Sequence, residues 1–224
     1  MPDSHAAVPV VAIDGPAASG KGTIARQVAA ALGYHYLDSG SLYRLVAHQA
    51  LATGTDPGDG EALAALARAM VVRFDGDAIR LDGADVTEAL RAEAVSAAAS
   101  RVAVHPAVRS ALLERQRGFR RLPGLVADGR DMGTVVFPDA APKVFVTASA
   151  EERARRRRRQ LAETGIDVNI QSLLRDIRER DERDASRSAA PLRPAVDAVI
   201  LDTTNMAVEA AVAAVLALIA PARR

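Results

Sequence analysis

The chain has 224 residues, 49% of them hydrophobic and only 3% aromatic, with a formal net charge of +1. That length suits one α/β domain with insertions, and its core must be built from Ala, Val, Leu and Ile. The near-neutral balance excludes polyanion binding by bulk charge. The absence of cysteine excludes disulfides, thiolate metal sites and a cysteine nucleophile. No apolar run is long enough to suggest a membrane span, and the start, MPDSHAAVPVVAID, lacks the regions of a signal peptide. A cytoplasmic protein is expected, with residues 1–7 and 221–224 as frayed ends.

Residues 9–14 (PVVAID) read as a short buried parallel strand. GPAASGKGT, residues 15–23, follows it. A helix over 23–32 comes next, with Ile24, Val28 and Leu32 on one face and Gly33 ending it. Residues 34–38 (YHYLD) predict a second strand, and a helix runs over about 41–52. A turn-rich loop at 53–60 precedes a short helix at 61–69. Two runs flanking Asp75-Gly76-Asp77 then predict a hairpin. Residues 97–117 read as helical, and 125–128 and 143–147 as apolar strands. Two charged helices follow, over 151–163 and from 170 to about 183, then a last strand at 196–201. The final helix shows Val208, Val212, Val215, Leu216 and Ile219 on one face. Alternating strands and helices imply a mostly parallel, doubly wound sheet.

The segment 15–23 has the G-x-x-x-x-G-K spacing of a phosphate-cradling loop. Its glycines let backbone N–H groups turn inward, and the following helix adds its positive amino end. Lys21 supplies a point charge to the outer phosphates. The hydroxyl that usually follows the lysine is displaced by one, since Gly22 precedes Thr23. Thr23 is thus the candidate for Mg²⁺ or the phosphate it bridges. The set assigned to ATP is Gly15, Pro16, Ala17, Ala18, Ser19, Gly20, Lys21, Gly22 and Thr23. No N-K-x-D or D-x-x-G signature of a GTPase switch is present. Lysine occurs only at Lys21 and Lys143, so arginine forks are the cations available for further phosphates. Residues 155–159 are five arginines in a row. On a helix they point all round the axis, so one or two, Arg156 among them, are expected to close over ATP. Asp14 reads as structural, and Asp128 as a turn residue or an acid near the metal. The histidines lack metal-ligand spacing.

DSGSLYR at 38–44, DGRDMGTVVFPDA at 128–140, ERDERDASR at 179–187 and AAPL at 189–192 are long and specific together. With them the sequence resembles the bacterial cytidylate kinases, nearly end to end. The resemblance implies a P-loop NTPase-type doubly wound sheet with a small antiparallel nucleotide-binding insert and a helical lid. It suggests a core at about 8–60, 96–150 and 190–220, an insert at 61–95 and a lid at 151–189. It implies transfer of the γ-phosphoryl group of ATP, with Mg²⁺, to CMP or dCMP. Lys21, Arg130 and Arg180 would be catalytic, and Arg44, Arg130 and Arg180 would hold the acceptor phosphate. Ser100, Arg109, Asp131 and Arg187 would read cytosine, because a carboxylate favours the N4 amine donor that uracil lacks. Asp184 would lie near the sugar hydroxyl, and Ser39, Gly40 and Tyr43 would shape the same pocket. Small nucleotides are the expected partners, with no nucleic acid and no membrane. A monomer is expected, as no coiled coil or apolar stripe demands a partner. The alternatives are a kinase of UMP or AMP, or a P-loop regulator that binds ATP without transferring it.

Overall fold

VVAID makes a strand with no exposed position, β1 (Val10–Asp14), and its place in the sheet explains why. In the computed structural model, which describes residues 8–76, 78–163 and 165–219, it is the central strand of five. The order is β2 (His35–Asp38), β6 (Leu125–Gly129), β1, β7 (Lys143–Thr147) and β8 (Val199–Asp202). The β1–β6, β1–β7 and β7–β8 pairs are parallel. Later strands flank β1 on both sides, so the winding reverses there. In doubly wound sheets such a reversal opens a crevice at the carboxyl ends of the strands. The expected ends, 1–7 and 221–224, lie outside the described residues.

Contacts divide the chain into two units, one made of the residues up to Leu37 and from Arg117 onward, the other of Asp38–Gln116. In the first, α1 (Lys21–Leu32) and α8 (Val208–Ile219) share one apolar cluster with the sheet. Ile24 and Val28 meet Val11, Val126, Val144 and Val215 there. The buried stripe of α8 is Ala211, Val215 and Ile219, while Val208 is exposed and Val212 and Leu216 only partly covered. The buried stripe, at i, i+4 and i+8, is thus turned from the predicted face and shares Val215 and Ile219 with it. Also in this unit, α6 (Ala150–Glu163) and α7 (Ile170–Ser186) bury Ala154, Leu161, Leu173 and Ile177 in a small core of their own.

The second unit begins with α2 (Ser39–Thr53), which packs against α3 (Gly60–Ala69) and α4 (Glu93–Val102). The hairpin is present as β3 (Val72–Asp75) against β4 (Ala78–Leu81), extended by a short β5 (Ala84–Asp85). Asp77 of its turn lies outside the described residues. The predicted helix over 97–117 is two helices, α4 and α5 (Pro106–Arg117). Proline disfavours helix in the residue before it and is at home in a first turn, so Pro106 starts a new helix.

The last strand also begins later than predicted. A turn joins Ala195 to Ala198, Val196 is fully exposed, and Asp197 reaches out to Lys143 Nζ at 2.9 Å. Only residues from Val199 on meet β7, as an edge strand.

Ile24 is nearly fully buried between sheet and helix. Ile24→Ala is expected to cost about 2–5 kcal/mol, read as a lower denaturant midpoint at unchanged m-value.

Candidate active site

The glycine loop leaves the carboxyl end of β1 at Gly15. A Cβ there would lie 2.0 Å from the Val146 carbonyl oxygen of β7, so only glycine passes. The Gly15 amide donates to the Gly129 carbonyl at 3.3 Å, which ties the loop to the end of β6. The chain turns through Ala18 (φ 57°) and Gly20 (φ 87°) and enters α1 at Lys21. No side chain caps this helix. Its amino end, where the helix dipole is positive, favours an anion. Lys21 Nζ donates to the Pro16 carbonyl at 3.3 Å. Ser19 is fully buried, and its hydroxyl has no hydrogen-bond partner among the described residues.

Gly22, where the hydroxyl would usually stand, is closely packed. A Cβ on Gly22 would meet Asp128 Oδ2 at 3.0 Å and the Tyr36 hydroxyl at 3.7 Å. Asp128 is buried at the end of β6, and Tyr36 of β2 donates to the same Oδ2 at 3.0 Å. Arg26 lies over the Tyr36 ring, 5.5 Å from its centroid. A serine or threonine at 22 would press on this carboxylate, which would have to shift by a few tenths of an ångström. The hydroxyl moves to Thr23, which is exposed on the first turn of α1.

Asp14, the last residue of β1, is structural. Its two oxygens accept from the amides of Met132 and Gly133, both at 2.8 Å. These amides open the π-helical turn Met132–Val136 that follows Asp131. Burial pushes the Asp14 carboxyl up to about 7, against the two amides that favour its charge; nearby Asp131 adds to the rise and Arg130 opposes it.

Four predicted substrate residues meet in the first unit. Arg130, just past β6, donates from Nε to Asp184 Oδ2 at 2.9 Å. Arg187 Nη1 lies 3.7 Å from Asp184 Oδ1, and its fork also holds the Ala190 carbonyl. Burial of Asp184 alone would raise its carboxyl. The charges of Arg130, Arg187 and Arg180, with the Arg130 hydrogen bond, outweigh that and hold it below the usual range. Three guanidinium groups thus surround one buried carboxylate. Asp131 is buried beside Arg130.

Of the arginine run, Arg156 Nη1 donates to the Ser19 carbonyl at 3.0 Å and to Thr203 Oγ1 at 3.1 Å. Arg155 and Arg159 are exposed and pair with Glu152. A residue missed in the sequence is Arg153, two places before the run. It is 5% exposed, and its guanidinium reaches the Ala17 carbonyl at 3.2 Å and both oxygens of Asp181. The available signal was its i, i+3 spacing from Arg156, which puts both on one side of α6.

In the second unit, Asp38 caps α2 by accepting from the Ser41 amide at 3.2 Å and pairs with Arg44 at 2.5 Å. Asp38 is a second missed residue; its signal was an acid three places before a helical serine. Gly40 sits under this pair, where a Cβ would meet Asp38 Oδ1 at 3.1 Å and Arg44 Nη1 at 3.4 Å. The Arg109 guanidinium covers the Tyr43 ring at 5.6 Å from the centroid and donates to the Ala103 carbonyl at 3.3 Å. Ser39 and Ser100 are buried on α2 and α4, which pack together. Arg44 and the Tyr43–Arg109 pair therefore belong to one unit, and the loop with the Asp184 cluster to the other.

A parallel sheet carrying an uncapped glycine loop at its central strand, with clustered arginines past the next strand, defines a P-loop nucleotide-binding α/β protein. A family model described as cytidylate kinase matches residues 11–221. The cytidylate kinase of Cupriavidus necator is 59% identical over 93% of this chain and 94% of its own length. That of Cupriavidus pinatubonensis is 58% identical over 97% and 98%, and that of Bordetella bronchiseptica 57% over 95% and 96%. The chain belongs to the cytidylate kinase family.

Gly22→Ser should lower kcat/KM for ATP about 100-fold through displacement of Asp128 or the loop, with an unchanged far-UV spectrum. Asp14 gives a pH signature. Between 3.8, its ordinary value, and about 7, the folded protein holds a proton that the unfolded chain has released. Its contribution to stability therefore falls as pH rises through that window. Asp14→Asn, whatever its absolute stability, should lose this downward slope when urea unfolding is compared across the same window.

Proposed function

We infer that the protein transfers the γ-phosphoryl group of ATP to CMP or dCMP, giving ADP and CDP or dCDP. The observation that carries this is the placement of Arg130. It follows Gly129, whose carbonyl takes the Gly15 amide, so an acceptor-type arginine emerges next to the donor loop and within the Arg180–Arg187–Asp184 cluster.

The loop amides and Lys21 bind the β- and γ-phosphates of ATP. Arg130 and Arg180 hold the acceptor phosphate bidentately, a role the family resemblance also gives to Arg44. An oxygen of that phosphate attacks the γ-phosphorus, the bond to the β–γ bridging oxygen breaks, and ADP leaves with the electron pair. The nucleophile is already anionic, so no general base is required. Positioning and charge neutralisation supply the acceleration. Asp184, held ionised, offsets the mutual repulsion of three arginines and serves the sugar hydroxyl as an acceptor. Asp131, Ser100, Arg109 and Arg187 read the base, with Asp131 accepting from the cytosine amine.

Among the described residues no group of three or more His, Asp or Glu could hold a metal ion by itself. The donor set fits Mg²⁺ that arrives with ATP and keeps its phosphates and waters as ligands. Thr23 and Asp128 flank Gly22 at the start of α1 and would hold the ion's outer ligands. When bound, the ion neutralises charge on the transferring phosphates. The same reading makes the protein a cytoplasmic monomer acting on free nucleotides.

A coupled assay with ATP and each of CMP, dCMP, UMP, AMP and dTMP tests this. CMP and dCMP should turn over, with the others at least about 100-fold poorer in kcat/KM. Asp131→Ala should collapse the CMP-to-UMP ratio while ATP affinity stays. ATP binding with no acceptor turned over would instead mark a regulator.

A further inference from the structure

We propose that Arg153 and Arg156 of α6 are positioning residues that shape the phosphate nest by holding its carbonyls rather than by touching ATP. The proposal rests on the reading of the glycine loop as the donor site and names what keeps that loop in its binding form.

The geometry follows from the peptide unit. A trans peptide is planar, and its C=O and N–H point in opposite directions. The Ala17 carbonyl shares a peptide with the Ala18 amide, and the Ser19 carbonyl shares one with the Gly20 amide. The cis bonds among the described residues, at Leu122-Pro123 and Ala141-Pro142, lie elsewhere. Arg153 Nη1 holds the Ala17 oxygen at 3.2 Å, and Arg156 Nη1 holds the Ser19 oxygen at 3.0 Å. With both oxygens fixed toward α6, the amides of Ala18 and Gly20 must face the other way. Successive amides turned to one side by such residues make an anion-binding concavity.

The conformation needs a tether. Ala18 sits at φ 57°, a region that non-glycine residues avoid. Thr203 Oγ1 adds a second contact to the Ser19 oxygen at 3.2 Å. Arg153 is itself fixed. It is 5% exposed, its Nε donates to the Ala148 carbonyl at 3.0 Å, and its fork is closed by Asp181 of α7. Asp181 adjoins Arg180 in the chain, so one guanidinium joins the donor loop to the helix that carries an acceptor arginine. These two arginines are committed to the protein's own backbone, a role the spacing of the arginine run did not suggest.

The test uses the full chain with inorganic tripolyphosphate, which has the phosphates of ATP but no base. Arg153→Gln should weaken its binding about 10-fold or more in calorimetry. In the ligand-free protein the same change should shift the Ala18 amide resonance. Arg156→Gln, at a less buried site, should shift Gly20 instead, and it gives the same readouts should Arg153→Gln fail to fold. Weaker binding with both ligand-free amide resonances unmoved would show direct contact and overturn the proposal. Unchanged binding would overturn it as well. Failure of the unaltered protein to bind tripolyphosphate would overturn the donor-site reading together with the proposal.

Discussion

One buried carboxylate ties the first motif of the chain to the third. Asp14 ends β1, and the next residue begins the glycine loop. Its two oxygens receive the amides of Met132 and Gly133, which directly follow Arg130 and Asp131. The glycine loop and the turn that carries Arg130 are thus fixed to each other by a contact between residues 118 positions apart. A carboxylate offers each amide its own oxygen. The cost is a charge in the core, which shows as a carboxyl raised to about 7. Burial costs the ionised group more than two amide donors return, and Asp131 nearby adds to the imbalance.

The same economy governs the arginines. A guanidinium held in a pocket without its ligand must find a counter-charge or leave the pocket. Arg130, Arg180 and Arg187 surround Asp184, Arg44 takes Asp38, and Arg153 takes Asp181. Each pairing fixes the direction of a cation in the empty protein. The near-neutral balance of the whole chain is the sum of such pairs.

The strands, the glycine loop and the hairpin could be read from residues alone, because each follows from local chemistry. A run of small apolar residues suits a strand buried on both faces, and a glycine beside a crossing carbonyl admits no other residue. What could not be read depends on partners distant in the chain. The role of Asp14 needs the amides of Met132 and Gly133. The reason for Gly22 needs Asp128 and Tyr36. The start of the last strand depends on Asp197 turning to Lys143, which no periodicity reveals. The break at Pro106 was available in the residues but yielded to the helical texture on either side. Tyr43 and Arg109 form a stacked pair whose members are two helices apart, so only their motifs, not their spacing, could associate them.

The arginine run shows how helical geometry sorts identical side chains into different tasks. Glu152 stands one turn from Arg155 and Arg156 and two turns from Arg159, and it pairs with all three, of which Arg155 and Arg159 are exposed. Arg153 and Arg156, three apart, face the loop. An exposed pair on a helix contributes only a few tenths of a kcal/mol, so Arg155 and Arg159 can change with little effect on the fold. A buried guanidinium whose donors are taken by two carbonyls and a carboxylate has no such freedom. Lysine could keep its charge but not the fork that spans Ala148, Ala17 and Asp181 at once. Composition treats the eight charged residues from Glu151 to Arg159 alike; burial and hydrogen-bond geometry decide which of them the loop requires.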